Sequence, residues 1–191
     1  RDELHRRGIT PEAFRSDADD VTRILTRTSY QPLRTALDAG FLAKAVALRG
    51  FSDLLNWQTQ TNTFFSREIS DRVRVIACLT TVPNVARSDS PSEGLASPEW
   101  ESVGKALKAT RDDTVVVVWG DRDDATMGAQ EIAIRAREAA TCIPSETRQA
   151  LPDGTNGFER ILPGPDRMYP DTDLPPKTVT EERLAAIRRT L

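Results

Sequence analysis

The sequence predicts an α+β or mixed α/β layered fold, and three observations carry the prediction. Stretches with helical and strand periods interleave along the first 143 residues. The strongest strand pattern, "TVVVVWG" at 114–120, runs directly into a long helical one. From Pro144 to Lys177 the chain changes character and becomes rich in Pro, Gly, Asp and Arg. A length of 191 residues allows one large domain, or a medium one with extensions.

Taken in order, residues 1–7 read as the last turns of a polar helix stopped at Gly8, with Pro11 beyond. After an acidic stretch, "VTRILTR" (21–27) is β-branched and half apolar, which predicts a strand. "PLRTALDAG" (32–40) predicts a helix, with Pro32 tolerated in its first turn, Leu33, Ala36 and Leu37 on its apolar face, and Gly40 at its end. "FLAKAVAL" (41–48) predicts a mostly buried strand closed by Gly50, and "LLNWQTQTNTFF" (54–65) an ordered loop. From Ser66, the spacing of Ile69, Val73 and Ile76 favours a helix, although "VRVIACL" also has strand composition. Residues 84–98 read as loop, delivering Ser97 as a helix N-cap with Pro98 at the first helical position. Trp100, Val103 and Leu107 mark the buried stripe of that helix. In the helix after the Val-rich strand, Ala125, Ala129, Ile132, Ala133, Ala136 and Ala140 share one face. A short closing helix is led by Thr180.

Composition excludes several classes. The apolar content of 38% with 29% charged residues fits a soluble globular protein, and the longest apolar run, 115–119, is far too short to cross a bilayer. The opening "RDELHRRGI" has neither a Met nor a signal-peptide shape, and reads as a piece of a larger protein. Net charge is −3, and residues 1–100 carry thirteen charges of each sign, so the acidic excess lies in the second half. A nucleic-acid partner would need a local patch rather than a bulk field. Cys78 and Cys142 form no CxxC pair and read as two buried thiols in a reducing cytoplasm. With His5 the only histidine, a His-rich metal site is excluded and a Ser-His-Asp triad is disfavoured.

Asp121, Asp123 and Asp124 could supply oxygen to a hard cation. Their place in the first turn of a helix, where the dipole favours carboxylates, accounts for them more simply. No Gly-rich run with a Lys follows Gly120, so no phosphate loop is present there. "SREISDRVR" (66–74) reads as a solvated helix face laced with ion pairs, with a nucleic-acid stripe as the alternative, and Arg135 and Arg137 as formers of surface salt bridges. The stretch 144–176, "PSETRQALPDGTNGFERILPGPDRMYPDTDLPP", holds the turn signals Asp153-Gly154 and Asn156-Gly157. It also sets Arg148, Arg160, Arg167 and Tyr169 amid Asp166, Asp171 and Asp173. Guanidiniums matched to carboxylates in a Pro-fixed segment suit either a buried ion-pair network or anion recognition.

That stretch resembles the "P-E-T-R … D-G-T … R-P-L-P-G … R-M-Y-P-E-T-D-x-P-P" segment of the E-type subunits (GatE) of the archaeal-type glutamyl-tRNA(Gln) amidotransferases. More weakly, it resembles the "Y-F-P-E-P-D-L-P-P" segment of the bacterial B-type subunits. Residues 30–55 resemble the start of the insertion (GAD) domain that the E-type subunits share with bacterial-type aspartyl-tRNA synthetases. "SREISDRVR" is similar to that domain's "G-T-E-x-x-D-Y-A" helix, and residues 87–107 to its "H-x-D-E-L-P … G-I" loop and following helix. The sequence departs where Arg49 replaces a proline, Ser66-Arg67 replaces Gly-Thr before Glu68, and the loop near Asp89 lacks a histidine.

The resemblance implies a two-layer α/β GAD-like insertion domain over residues 20–143. Residues 1–19 would then be the end of a preceding cradle helix with its linker, and 144–191 an irregular return into the cradle with a closing helix. It implies an enzyme that activates the side-chain carboxylate of glutamate on tRNA(Gln) with ATP and magnesium. Ammonia from an asparaginase-like partner protein then displaces the phosphate. None of the family's ATP or metal residues maps onto this chain, so no catalytic residue and no metal ligand is assigned. Arg148, Arg160, Arg167, Tyr169, Asp171 and Asp173 are the candidate substrate-binding residues, with a structural use of Arg167 and Tyr169 as the rival reading. The insertion domain itself is either a tRNA contact or a scaffold. The expected setting is cytoplasmic, without membrane or DNA. A standalone RNA-binding module and a purely structural insertion are the alternatives.

Overall fold

The computed structural model describes residues 1–90, 94–141, 143–162 and 179–190. Its contacts define two compact units, Arg1–Arg160 and Ile161–Leu191.

The first unit is built on a four-stranded antiparallel sheet made of β1 (Ser16–Asp20), β2 (Leu42–Leu48), β5 (Val85–Arg87) and β6 (Thr114–Gly120), in the order β1-β2-β6-β5. The central pair, β2 and β6, runs in unbroken register from Leu42↔Gly120 to Leu48↔Thr114. Alternation sorts its side chains between two cores. Val46, Leu48, Val116 and Val118 join Ile69 and Val73 of α3 (Phe65–Ile76) and Ala129, Ile132, Ala136 and Ala140 of α5 (Arg122–Thr141). Ala43, Ala45, Ala47, Val115, Val117 and Trp119 face Leu33 and Ala36 of α2 (Gln31–Asp38) and Val103 of α4 (Ser97–Ala106). Helices therefore cover both faces, giving three layers where two were expected. A strand buried on both sides has no polar face to show, which is why β6 reads as four consecutive valines.

Small residues set the spacing of the layers. A Cβ placed on Gly128 of α5 would lie 2.9 Å from a Val118 methyl, so the helix rests directly on β6. Helix α2 ends in a Schellman arrangement, with the Phe41 N–H reaching Ala36 O at 3.0 Å and Gly40 N–H reaching Leu37 O at 3.0 Å. Gly40 takes the left-handed conformation this requires, at φ +89°.

Several local expectations are corrected. Residues 21–27 are turns rather than a strand: Leu25 N–H donates to Val21 O at 3.1 Å, which tucks both fully buried side chains into the core. The strand is instead the acidic stretch before it. As the sheet edge, β1 needs only backbone pairing to β2, and its carboxylates face water and discourage edge-to-edge association. Within 54–65 there is a single 3₁₀ turn (Leu54–Asn56) and a small hairpin, β3 (Gln58–Gln60) with β4 (Thr63–Phe64). The stretch 84–98 contains the three-residue edge strand β5. Ser97 lies inside α4, and the Glu99 carboxylate accepts the Ala96 N–H at 2.7 Å. Cys78 is exposed rather than buried, and Cys142 lies outside the described residues. The helix over 65–76 and the helix opening by Asp123 and Asp124 are as read.

From 144 onward the chain is more regular than its composition suggests. β7 (Glu146–Ala150) and β8 (Asn156–Ile161) form a two-stranded ribbon around Asp153 and Gly154. In the second unit, α6 (Glu181–Thr190) is capped by the Thr180 hydroxyl, which accepts the Arg183 N–H at 3.3 Å. No described helix is long and apolar enough to cross a membrane.

Arg49, at the end of β2, ties the sheet to the loop before β6. Its guanidinium donates to Asp113 Oδ2 (2.9 Å), Leu107 O (2.7 Å) and Lys108 O (3.0 Å), and it also grips Asp17 of β1. Asp113 also accepts the N–H groups of Gly50 and Thr110. Partial burial pushes the Asp113 carboxyl up, but these amides and Arg49 outweigh it and hold the group below its ordinary 3.8. A carboxyl lowered on folding contributes stability above its unfolded value and loses it as pH falls through the folded one. Asp113→Asn should therefore cost about 2 kcal/mol at pH 7. In urea titrations the gap to wild type should close as pH drops from about 4. A gap that stays constant across that range would remove the charge from the explanation.

Candidate functional site

The best-formed polar constellation lies where α3, α5 and the β7–β8 ribbon meet. Along α3, Phe65, Ile69 and Val73 place their side chains in the core, and Glu68 and Arg72 sit on the same inward side at the intervening helical positions. Along α5, Glu131, Arg135 and Glu138 recur at spacings of four and three. Two helices packed by their apolar stripes thus bring two acid-base ladders together.

Arg72 is the hub, with a side chain only 3% exposed. Its Nε donates to Glu131 Oε2 at 2.9 Å, and Nη1 to Glu138 Oε2 at 2.7 Å and to Glu146 Oε2 at 3.3 Å. Its guanidinium also lies over the ring of Phe158 in β8, 5.5 Å from the centroid. Burial alone would lower the Arg72 pKa, but Glu131 and Glu138 outweigh it and raise the value above that of a free arginine. Alongside, Arg135 Nη2 donates to Glu68 Oε2 at 2.6 Å, with the guanidinium 4.8 Å from the Phe65 ring centroid. Its buried Nη1 has no hydrogen-bond acceptor among the described residues. Arg148 of β7 joins both halves, pairing with Glu146 and lying 3.7 Å from Glu68. It also bonds the Asn156 side chain, and Gln60 of β3 staples Asn156 through two 2.9 Å contacts to its N–H and C=O.

The reading of "SREISDRVR" as a solvated, ion-paired face holds for one side of the helix only. Arg67, Asp71 and Arg74 form the exposed ion pairs expected, whereas Glu68 and Arg72 are buried. Arg135 is a salt-bridge former, but an internal one. Of the candidate substrate-binding residues, Arg148 belongs to this ion-pair network. Arg160, on β8, is exposed, and no ion pair joins it among the described residues. Arg167, Tyr169, Asp171 and Asp173 lie outside the described residues. The sequence reading missed Glu68, Arg72, Glu131, Glu138 and Glu146. The available signal was that Glu68 and Arg72 share the 3–4 spacing of Phe65, Ile69 and Val73, which solvent-facing charges do not.

Chemically, four carboxylates and three guanidiniums pair with one another, with only Arg135 Nη1 left unmatched among the described residues, and no side chain of the network is poised as nucleophile or base. His5 Nε2 is 2.9 Å from Ala140 O, a tie between α1 (Asp2–Arg6) and the end of α5. Among the described residues, no three His, Cys, Asp or Glu side chains are grouped to hold a metal ion. No step through magnesium or ATP is assigned to them.

No protein-family model matches the chain. It is similar over its full length to curated proteins named as the E subunit of glutamyl-tRNA(Gln) amidotransferase. The identity is 38% to that of Pyrococcus furiosus and 35% to that of Pyrococcus horikoshii. The protein of Saccharolobus solfataricus is 34% identical over 96% of the chain. The chain spans about 30% of the length of these relatives and is therefore related, from end to end, to one segment of these proteins.

Removing Arg72 should leave Glu131 and Glu138 facing each other in a partly dry site. Arg72→Met is expected to cost about 3–5 kcal/mol by urea denaturation. Arg160→Ala should stay within about 0.5 kcal/mol of wild type. Equal effects of the two would show that the network does not hold the ribbon.

Proposed function

We propose that this chain is a segment of a tRNA-dependent amidotransferase that converts Glu-tRNA(Gln) to Gln-tRNA(Gln). In that reaction ATP phosphorylates the glutamate side-chain carboxylate, and ammonia from an asparaginase-like partner protein displaces the phosphate to leave the amide. Residues 20–143 would be the insertion domain, with 1–19 and 144–191 leading from and back into a cradle that holds ATP and magnesium. The observation that carries this reading is the similarity to the amidotransferase relatives along the whole chain, at 38% identity to the Pyrococcus furiosus protein.

The segment's own share is non-catalytic, since its buried acids and bases are consumed in pairing one another. It contacts tRNA through surface side chains. A scaffold role is the second reading, favoured by the internal use of Arg72, Arg135 and Arg148.

The natural protein that carries this sequence, supplied with ATP, magnesium and ammonium, should convert Glu-tRNA(Gln) to Gln-tRNA(Gln). Failure to form glutaminyl product with an intact, folded protein would overturn the assignment. Product formed at unchanged KM for the charged tRNA after charge reversal of the segment's exposed arginines would leave the scaffold reading.

A further inference from the structure

A groove on the first unit is lined by Ser66, Arg67 and Ser70 of α3, by Arg87 and Ser90 at and after β5, and by Tyr30. Among the described residues, two guanidiniums and no carboxylate line it, on a chain whose net charge is −3. The carboxylates that pair with these arginines are less exposed than they are: Asp71 is 13% exposed against 63% for Arg67, and Asp89 8% against 15% for Arg87. Arg87 is held firmly, donating to Asn56 Oδ1 at 2.7 Å and to Asp89 Oδ1 at 2.9 Å. A firmly held guanidinium beside an exposed one is a sound arrangement for an oxyanion.

Two further features have the same sense. Helix α3 has no side-chain cap at its N-terminus, so the first-turn amides beside Ser66 and Arg67 are not consumed by one. Trp57, just before β3, and Phe64, the last residue of β4, are 55% and 45% exposed. Trp57 follows Asn56, the partner of Arg87, and Phe64 precedes α3. Exposed aromatic rings beside a cationic groove suit unstacked bases better than a free phosphate ion.

We propose that this groove binds a backbone phosphate of RNA, with Arg67 and Arg87 as its ligands and Trp57 and Phe64 as neighbouring base-stacking surfaces. This rests on the tRNA-contact reading above and names the surface that makes the contact. Neither Ser66 nor Arg67 follows the Gly-Thr pattern of the resembling domain, so the site is particular to sequences like this one.

The test compares Arg67→Gln with Arg74→Gln in the natural protein. Arg74 pairs with the same Asp71 but does not line the groove. Binding of a fluorescent tRNA transcript is followed across a salt series. Arg67→Gln should lower the slope of log K against log salt by roughly one and weaken binding several-fold, while Arg74→Gln leaves the slope unchanged. Trp57→Leu should weaken binding without changing the slope. In parallel, inorganic phosphate is titrated against the 15N-labelled protein, and the Ser66 and Arg67 amides should shift saturably. Equal slopes for the two arginine variants overturn the proposal, as does phosphate that leaves those amides unmoved. If the wild-type protein binds no tRNA, the tRNA-contact reading fails by itself. Phosphate shifts at Ser66 and Arg67 would then mark a site for small phosphate compounds and overturn the RNA assignment.

Discussion

The seven-residue pairing of β2 with β6 is the constraint from which the rest follows. Both strands are covered on both faces, so the buried apolar side chains along them are each committed to one core or the other, and a slip of one residue would exchange the two sets. That register decides where α3 and α5 lie on one face and α2 and α4 on the other. It also decides how close they come, because β2 supplies three alanines and α5 offers Gly128 and Ala129 to the sheet. Arg49 and Asp113 lock the end of the same strand pair to the loop that enters β6, so the register is pinned electrostatically as well as by packing.

The ion-pair network is a consequence of this packing rather than an independent feature. Once α3 and α5 meet through Ile69, Val73, Ile132 and Ala136, the charged residues one position off those stripes have nowhere to go but toward each other. Burying a charge is costly unless it is paired and hydrogen-bonded, and Arg72 meets that condition with three carboxylates. The pairing also selects what packs outside it. β7 contributes Glu146 and Arg148 in the positions the helices leave unmatched, and Phe158 of β8 covers the Arg72 guanidinium. A ribbon with a weak apolar content of its own is thereby given a definite seat.

Much of this was legible in the sequence where a single period dominated. The valines of β6, the alanine face of α5 and the stripe of Val103 and Leu107 each point to one element and one buried side. Legibility failed where a segment's role depends on its neighbours. β1 is a strand only because β2 offers it an edge, and nothing in Ser-Asp-Ala-Asp-Asp favours an extended chain. "VTRILTR" has strand composition, yet Val21 and Leu25, four apart, are buried together in a turn. At the site, Arg148 was singled out from its setting among carboxylates, and a network was one of the two readings left open. Its partners on α3 and α5 could not be seen, because charge-rich helices look solvated until the packing face is known.

The distribution of arginines joins the fold to the proposed activity. Arg49, Arg72, Arg135 and Arg148 are spent on internal carboxylates, and each of them fixes one piece of the architecture. A chain with net charge −3 can hold a polyanion only through cations that the fold does not consume and acids that it hides. Around the groove the conditions are approached among the described residues, because Asp71 and Asp89 are 13% and 8% exposed while Arg67, though paired with Asp71, is 63% exposed. The same α3 helix therefore carries two kinds of charge chemistry on different faces. Its inner face uses Glu68 and Arg72 to seat the ribbon, and its N-terminal outer face presents Ser66 and Arg67 to the groove. The inner network holds that outer face in place.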